Sequence, residues 1–223
     1  IEYAREFFGD DTGDSWIFDR GHRLRLADLY DADHDRIEMA HSLLLSLPGT
    51  PVLLAGDEIG MGADLSLPER ESVRTPMQWN DGENAGFSAA DPGELYNPVV
   101  DEGRFSYEHV NVAAQRGDPD TLLTRVQRLV EARQAHPEIN DGDYTILDSG
   151  HRDVFVHRIE TAGSVLLCAH SFADEYREST LPFEVDGNTE VVVGTGGCQV
   201  GDDSLTVLLE PCEYVWLEAT RQK

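Results

Sequence analysis

An arginine, a glutamine and a tryptophan stand close together in the run Arg74-Thr75-Pro76-Met77-Gln78-Trp79. A guanidinium is a planar fork of donors that can clamp a carboxylate and a hydroxyl together. An indole offers a flat apolar face. Upstream stands the acidic pair Asp57-Glu58, and similar pairs occur at Asp10-Asp11 and Asp202-Asp203. Paired carboxylates are a common device for general acid–base work. Adjacent residues of a strand, however, point to opposite faces. Asp57 and Glu58 therefore cannot act on one centre if a strand runs through them, and the other two pairs read as solvated charges. The eight histidines show no metal-ligand spacing, and Cys168, Cys198 and Cys212 fit neither a metal nor a redox pattern. They read as buried free thiols, and no metal or cofactor is expected.

Several elements must position these side chains. Residues 37–47 place Ile37, Ala40, His41, Leu44 and Leu47 at helical spacing, with Asp33 or Asp35 as the N-cap. His41 on that face is expected to be a core side chain. Pro48-Gly49 ends the helix, and residues 51–55 form an apolar run of the kind found in a strand covered on both faces. Residues 56–118 carry no convincing regular element. A loop so long is usually functional or disordered, and its Arg, Trp, Gln and Met content argues against disorder. Asp118-Pro119 is expected to open a helix that carries Leu122, Leu123, Val126, Leu129, Val130 and Arg133 and stops at His136-Pro137. Residues 2–8 also have helical character. Beyond Asn140 the chain reads as all-β, with strands expected over 143–147, 153–159, 164–171, 178–183, 189–193, 205–210 and 213–218.

The stretches LPGTPVLLAGDEIGM at 47–61, VRTPMQW at 73–79 and NAGF at 84–87 resemble the α-amylase family, glycoside hydrolase family 13. Residues 20–26, 34–47, 91–96, 110–115 and 118–123 extend the resemblance, with more likeness to trehalose synthases than to oligo-1,6-glucosidases. The resemblance implies an α/β region followed by an all-β one. Residues 1–139 would be the C-terminal end of a (β/α)8 barrel, and 140–223 an antiparallel β-sandwich. It also implies that the catalytic carboxylates lie on earlier strands, the third in an Asn-His-Asp sequence, and this chain has none. No catalytic residue is therefore expected here, and the chain alone is expected to be inactive. Carried over from the family, Arg74 would help hold the non-reducing glucose. Glu58, Gln78 and Trp79 are further candidates for substrate contact, although Trp79 reads more simply as a core anchor. Two departures stand out. Leu54-Ala55 replaces aromatics common in the family, and Asn80 replaces the usual Asp.

Composition bounds the rest. The 223 residues include 43 Asp and Glu against 17 Lys and Arg, a formal charge of −26, and Lys223 is the sole lysine. Such a chain repels nucleic acid and anionic membranes. Its charges are spread among apolar patterns, as on a salt-adapted globular surface. With 40% hydrophobic residues the chain can build a core. It has no apolar run long enough to span a bilayer and no signal-peptide pattern, so a cytoplasmic location is expected. The expected partners are an α-glucoside such as maltose or trehalose and, if the gene is split, a separate chain bearing the N-terminal part of the barrel. The alternatives are a hydrolase of the α-glucosidase or oligo-1,6-glucosidase type, or a non-catalytic remnant that binds carbohydrate or protein.

Overall fold

The computed structural model describes residues 16–17, 21–182, 189–201 and 204–220. The expected helix at 2–8 and the pairs Asp10-Asp11 and Asp202-Asp203 lie outside them. The chain divides into two compact units, residues 1–37 with 53–124 and residues 38–52 with 125–223. Among the described residues no helix is long and apolar enough to cross a membrane.

The first unit contains the two-residue strands β1 (Trp16–Ile17) and β2 (Gly21–His22), paired antiparallel, and the short helix α1 (Leu26–Leu29). The Asp33 carboxylate accepts from the backbone N–H groups of Asp35 and Arg36, so Asp33 is the residue that caps helix α2 (His34–Ser46). The strand expected over 51–55 does not form. Residues 51–54 hold no regular element and Ala55 begins a turn, and among the described residues no neighbouring strand runs beside them to supply a ladder. The long segment that follows is built from 3-10 turns at Asp57–Ile59, Glu69–Val73, Glu83–Gly86 and Pro92–Glu94, then the helix α3 (Val112–Gln115). Ile59, Met61 and Val112 form its apolar centre, with Met77, Val110 and Leu123 packed around them.

Helix α4 (Leu122–Ala135) starts later than expected. The carbonyl of Asp118 accepts from the hydroxyls of Thr121 and Thr124, so residues 118–121 are spent on a turn and Pro119 lies outside the helix. His136-Pro137 ends α4 as expected, and a short helix α5 (Glu138–Asp141) follows.

Among the described residues of the second unit, eight strands form two antiparallel sheets. One has the order β3 (Asp143–Leu147), β4 (Val154–Glu160), β5 (Ser164–Ser171), β10 (Tyr214–Thr220), β7 (Thr189–Gly194). The other is β6 (Arg177–Pro182), β9 (Ser204–Leu209), β8 (Gly197–Val200). Runs rich in Val, Leu, Phe and Thr between turn residues placed seven of these strands, and β8 was missed because Gly196, Gly197 and Gln199 dilute its apolar signal. Val156, Val165, Leu167, Ala169, Val215 and Leu217 of the larger sheet share an apolar cluster with Leu181, Leu205, Val207 and Leu209 of the smaller.

The opposite face of the larger sheet carries polar rings. His157, Cys168, His170 and Trp216 lie on it, each fully buried. The indole N–H of Trp216 donates to the Ser42 hydroxyl at 2.9 Å, and that hydroxyl is 2.9 Å from His170 Nε2. The Tyr214 hydroxyl donates to Glu38 at 2.6 Å, and Arg125 donates to the same carboxylate at 3.1 Å. His41 is 1% exposed, in line with a core role. Of the three free thiols only Cys168 is buried; Cys198 and Cys212 are half-buried.

Candidate functional site

The candidate residues sit in the first unit, on the turns that follow residues 51–55. Gly56 and Gly60 flank the 3-10 turn Asp57–Ile59, and both have left-handed backbone, φ 98° and 76°. At Gly56 this is a requirement twice over. A side chain there would also collide with Met61 and press on the guanidinium of Arg25. The carboxylate of Glu58 folds back and accepts from the Gly56 N–H at 2.7 Å. Asp57 points elsewhere and pairs with Arg25 at 3.0 Å. The two neighbouring carboxylates are thus separated into different roles, although by a turn rather than by a strand.

Arg25 is a residue that sequence reasoning missed. It is 3% exposed. One terminal nitrogen donates to the Ala55 carbonyl at 2.9 Å as well as to Asp57, and the other donates to the Val73 carbonyl at 2.7 Å. It therefore ties the turn bearing Glu58 to the residue just before Arg74. The only sequence signal is an arginine placed between Leu24 and Leu26, and nothing local names its partners.

Arg74 closes the turn Glu69–Val73, its N–H bonded to the Glu71 carbonyl at 3.0 Å. Its side chain is 55% exposed and lies 3.7 Å from the Glu71 carboxylate. That separation is longer than a hydrogen bond, so its donors remain open to a further acceptor. Asn97, also missed, braces this corner: its amide donates to Glu71 at 2.8 Å and to the Arg74 carbonyl at 3.1 Å.

Gln78 is fully buried. Its amide donates to the carbonyls of Phe105 and Val110, which pins the far side of the loop. Its side-chain oxygen has no partner among the described residues. Trp79, expected as a core anchor, is instead 46% exposed. Its backbone holds it in place, with its N–H on the Ala85 carbonyl and its carbonyl accepting from Ala113, both at 2.9 Å. Phe87 and Tyr96 of the same segment are also exposed. Among the described residues no hydrogen bond or ion pair joins the side chains of Glu58, Arg74, Gln78 and Trp79 to one another. What the segment offers is an open guanidinium, an exposed indole face and a backbone fixed by buried side chains. These are groups suited to holding a polyhydroxylated ligand rather than to breaking a bond.

Residues 8–142 match the family model described as alpha amylase, catalytic domain. The chain belongs to the alpha-amylase family. Over 206 residues it is 42% identical to the trehalose synthase/amylase of Mycobacterium tuberculosis, an alignment covering 90% of this chain and 34% of that protein. Over 207 residues it is 28% identical to the oligo-1,6-glucosidase of Heyndrickxia coagulans, covering 77% of this chain and 35% of the other. The crystal structure of the trehalose-6-phosphate hydrolase of Bacillus licheniformis superposes with a TM-score of 0.67 at 22% identity, covering 85% of this chain and 40% of that one. The chain spans about a third of the length of the curated relatives it matches.

Proposed function

We propose that the chain is the C-terminal portion of a retaining enzyme acting on α-glucosides, of the trehalose synthase type, which rearranges maltose into trehalose. The observation that carries this reading is the 42% identity to a trehalose synthase/amylase over 206 residues, against 28% to an oligo-1,6-glucosidase. Retaining chemistry needs two carboxyl groups about 5–5.5 Å apart. The acidic pair Asp57-Glu58 is committed to Arg25 and to the Gly56 backbone. The carboxylates would come from the preceding part of the barrel, on the same polypeptide or on a separate chain.

In this reading residues 1–139 complete a (β/α)8 barrel and residues 140–223 form a β-sandwich. Support comes from the change at Asp143, from which every regular element among the described residues is an antiparallel strand, and from the apolar cluster common to both sheets. Arg74, Trp79 and Glu58 would line the glucose pocket, and Gln78 would brace the loop that carries the first two. The −26 charge with a single lysine supports a cytoplasm of high salt, where self-repulsion is screened within a few Å. The same charge opposes nucleic acid and anionic membranes as partners.

The test is product analysis with maltose. The enzyme that includes the upstream barrel should yield trehalose in excess of free glucose, and the 223-residue chain by itself should yield neither. Glucose as the main product would favour the hydrolase reading, and turnover by the chain alone would overturn the assignment of the carboxylates to the upstream part. In the active enzyme Arg74→Ala should lower kcat/KM for maltose about tenfold, or about 1.4 kcal/mol, a modest loss because its guanidinium is half exposed. A value within twofold of the parent would remove Arg74 from the pocket.

A further inference from the structure

We propose that His136, Glu138 and Glu218 form a binding site for a divalent transition-metal ion of the zinc class. The site lies within the second unit, where the end of α4 and the start of α5 meet strand β10. One ligand atom from each of the three residues lies within 4.8 Å of the others, and His136 Nε2 is 3.7 Å from the Glu218 carboxylate. Zinc bonds nitrogen and oxygen ligands at about 2.0–2.2 Å in a tetrahedral array, which sets neighbouring ligand atoms roughly 3.3–3.6 Å apart. Small rotations of two glutamate side chains close that gap, and water completes the shell.

Three further observations point to a cation. His136 is buried to 8% exposure, and its Nδ1 lies 2.7 Å from the Ala132 carbonyl. A carbonyl can only accept, so Nδ1 carries a proton, and the other ring nitrogen, Nε2, is the one that faces carboxylate oxygen. That carbonyl-to-imidazole bond is the arrangement that orients histidines in metal sites. Second, the ladder places Glu190 of β7 directly opposite Glu218, and like charges so placed destabilise a sheet. Third, among the described residues neither Glu138 nor Glu190 has a cationic partner, and the one cation-forming group beside Glu218 is His136 itself. A bound ion would relieve all of this and clip the turn after α4 to the last strand. Histidine spacing in the sequence gave no hint of it, because the third ligand arrives from a strand near the far end of the chain.

The experiment is a Co2+ and Zn2+ titration of the 223-residue chain in high salt with excess Mg2+, which occupies diffuse acidic sites. One Co2+ per chain should bind with intense visible d–d absorption from a low-symmetry site with a nitrogen ligand, and Zn2+ should displace it. His136→Gln and, separately, Glu218→Gln should weaken that binding at least about tenfold, while Glu94→Gln in the other unit should not change it. If His136→Gln loses its native circular dichroism, Glu138→Gln serves in its place. Metal uptake unchanged in all three ligand variants, or uptake without the absorption band, would show only a histidine–glutamate ion pair on an acidic surface and would overturn the proposal.

Discussion

Replacing Arg25 by alanine should destabilise the first unit by about 3–5 kcal/mol, the cost of removing one partner from a buried ion pair. Arg25 is 3% exposed and the Asp57 side chain 14%, so water cannot take over the lost contacts cheaply. The same guanidinium also satisfies the carbonyls of Ala55 and Val73. Both of these bonds are part-buried and Ala55 itself is exposed, so water replaces part of what they lose and the ion pair carries most of the cost. Arg25→Lys should recover only part of the loss, because one ammonium cannot span donors to both sides as a planar fork does. Amide exchange at Met61, whose N–H bonds the Gly56 carbonyl, and at Arg74, bonded to Glu71, gives the readout within this unit. Protection in Arg25→Ala within about 1 kcal/mol of the parent would show that the pair is not what holds the turns together. If Arg74 and Glu58 contact substrate, the same change should also lower activity in the longer enzyme, since the backbone beneath both would shift.

The second unit should lose stability steeply as pH falls below about 6.5. Burial holds the His157 imidazole down to about 4. His170 lies at about 3, first through burial, then through its neighbour His157, with Ser42 acting in the opposite sense. Their ordinary value is near 6.5, so the unfolded chain binds these protons first and stability declines as pH falls from there toward 4 and then 3. At about pH 5 each ring should cost about 2 kcal/mol relative to pH 7, by the rule of about 1.4 kcal/mol per pH unit. The packing explains the size of the effect. His157 has neither ring nitrogen bonded and is ringed by Tyr144, Phe155 and His170, with centroids at 5.4, 5.5 and 5.9 Å. A proton placed there has no carboxylate to meet.

Denaturant midpoints at about pH 7 and pH 5, in high salt to quiet the acidic surface, test this directly. His157→Phe keeps an aromatic body in the same ring cluster and should halve the pH dependence. An undiminished slope in that variant would place the acid sensitivity elsewhere. Asp28, in the other unit, has the opposite sign. Burial raises its carboxyl, against the backbone N–H groups of Arg25 and Ala63, so its contribution grows as pH falls and is lost as pH rises.

Much of the regular structure was legible in the residues. Short runs rich in Val, Leu, Phe and Thr, separated by Gly, Asp and Asn, located β3, β5 and their neighbours, because strand preference is a local property of those side chains. The apolar spacing of Leu122, Val126 and Leu129 located α4 for the same reason, and the stop at His136-Pro137 is written in the proline. Family membership was legible too, in motifs contiguous in the chain. Other features had no local signature. Residues 51–55 have the composition of a strand, but a strand exists only through its ladder, and the described residues bring no neighbour to their edges. Gln78 and Trp79 are adjacent in sequence, yet one is fully buried and the other half exposed. They lie in an irregular, non-helical segment, and the carbonyls of Phe105 and Val110 that hold Gln78 come from much later in the chain. Arg25 meets Asp57 and Val73, Trp216 meets Ser42, and His136 meets Glu218, in each case across long stretches of chain. Sequence by itself determined which segments could be helix or strand, since that depends on near neighbours. Tertiary structure decided which polar groups would face one another, since a buried hydrogen bond or ion pair depends on where distant segments return.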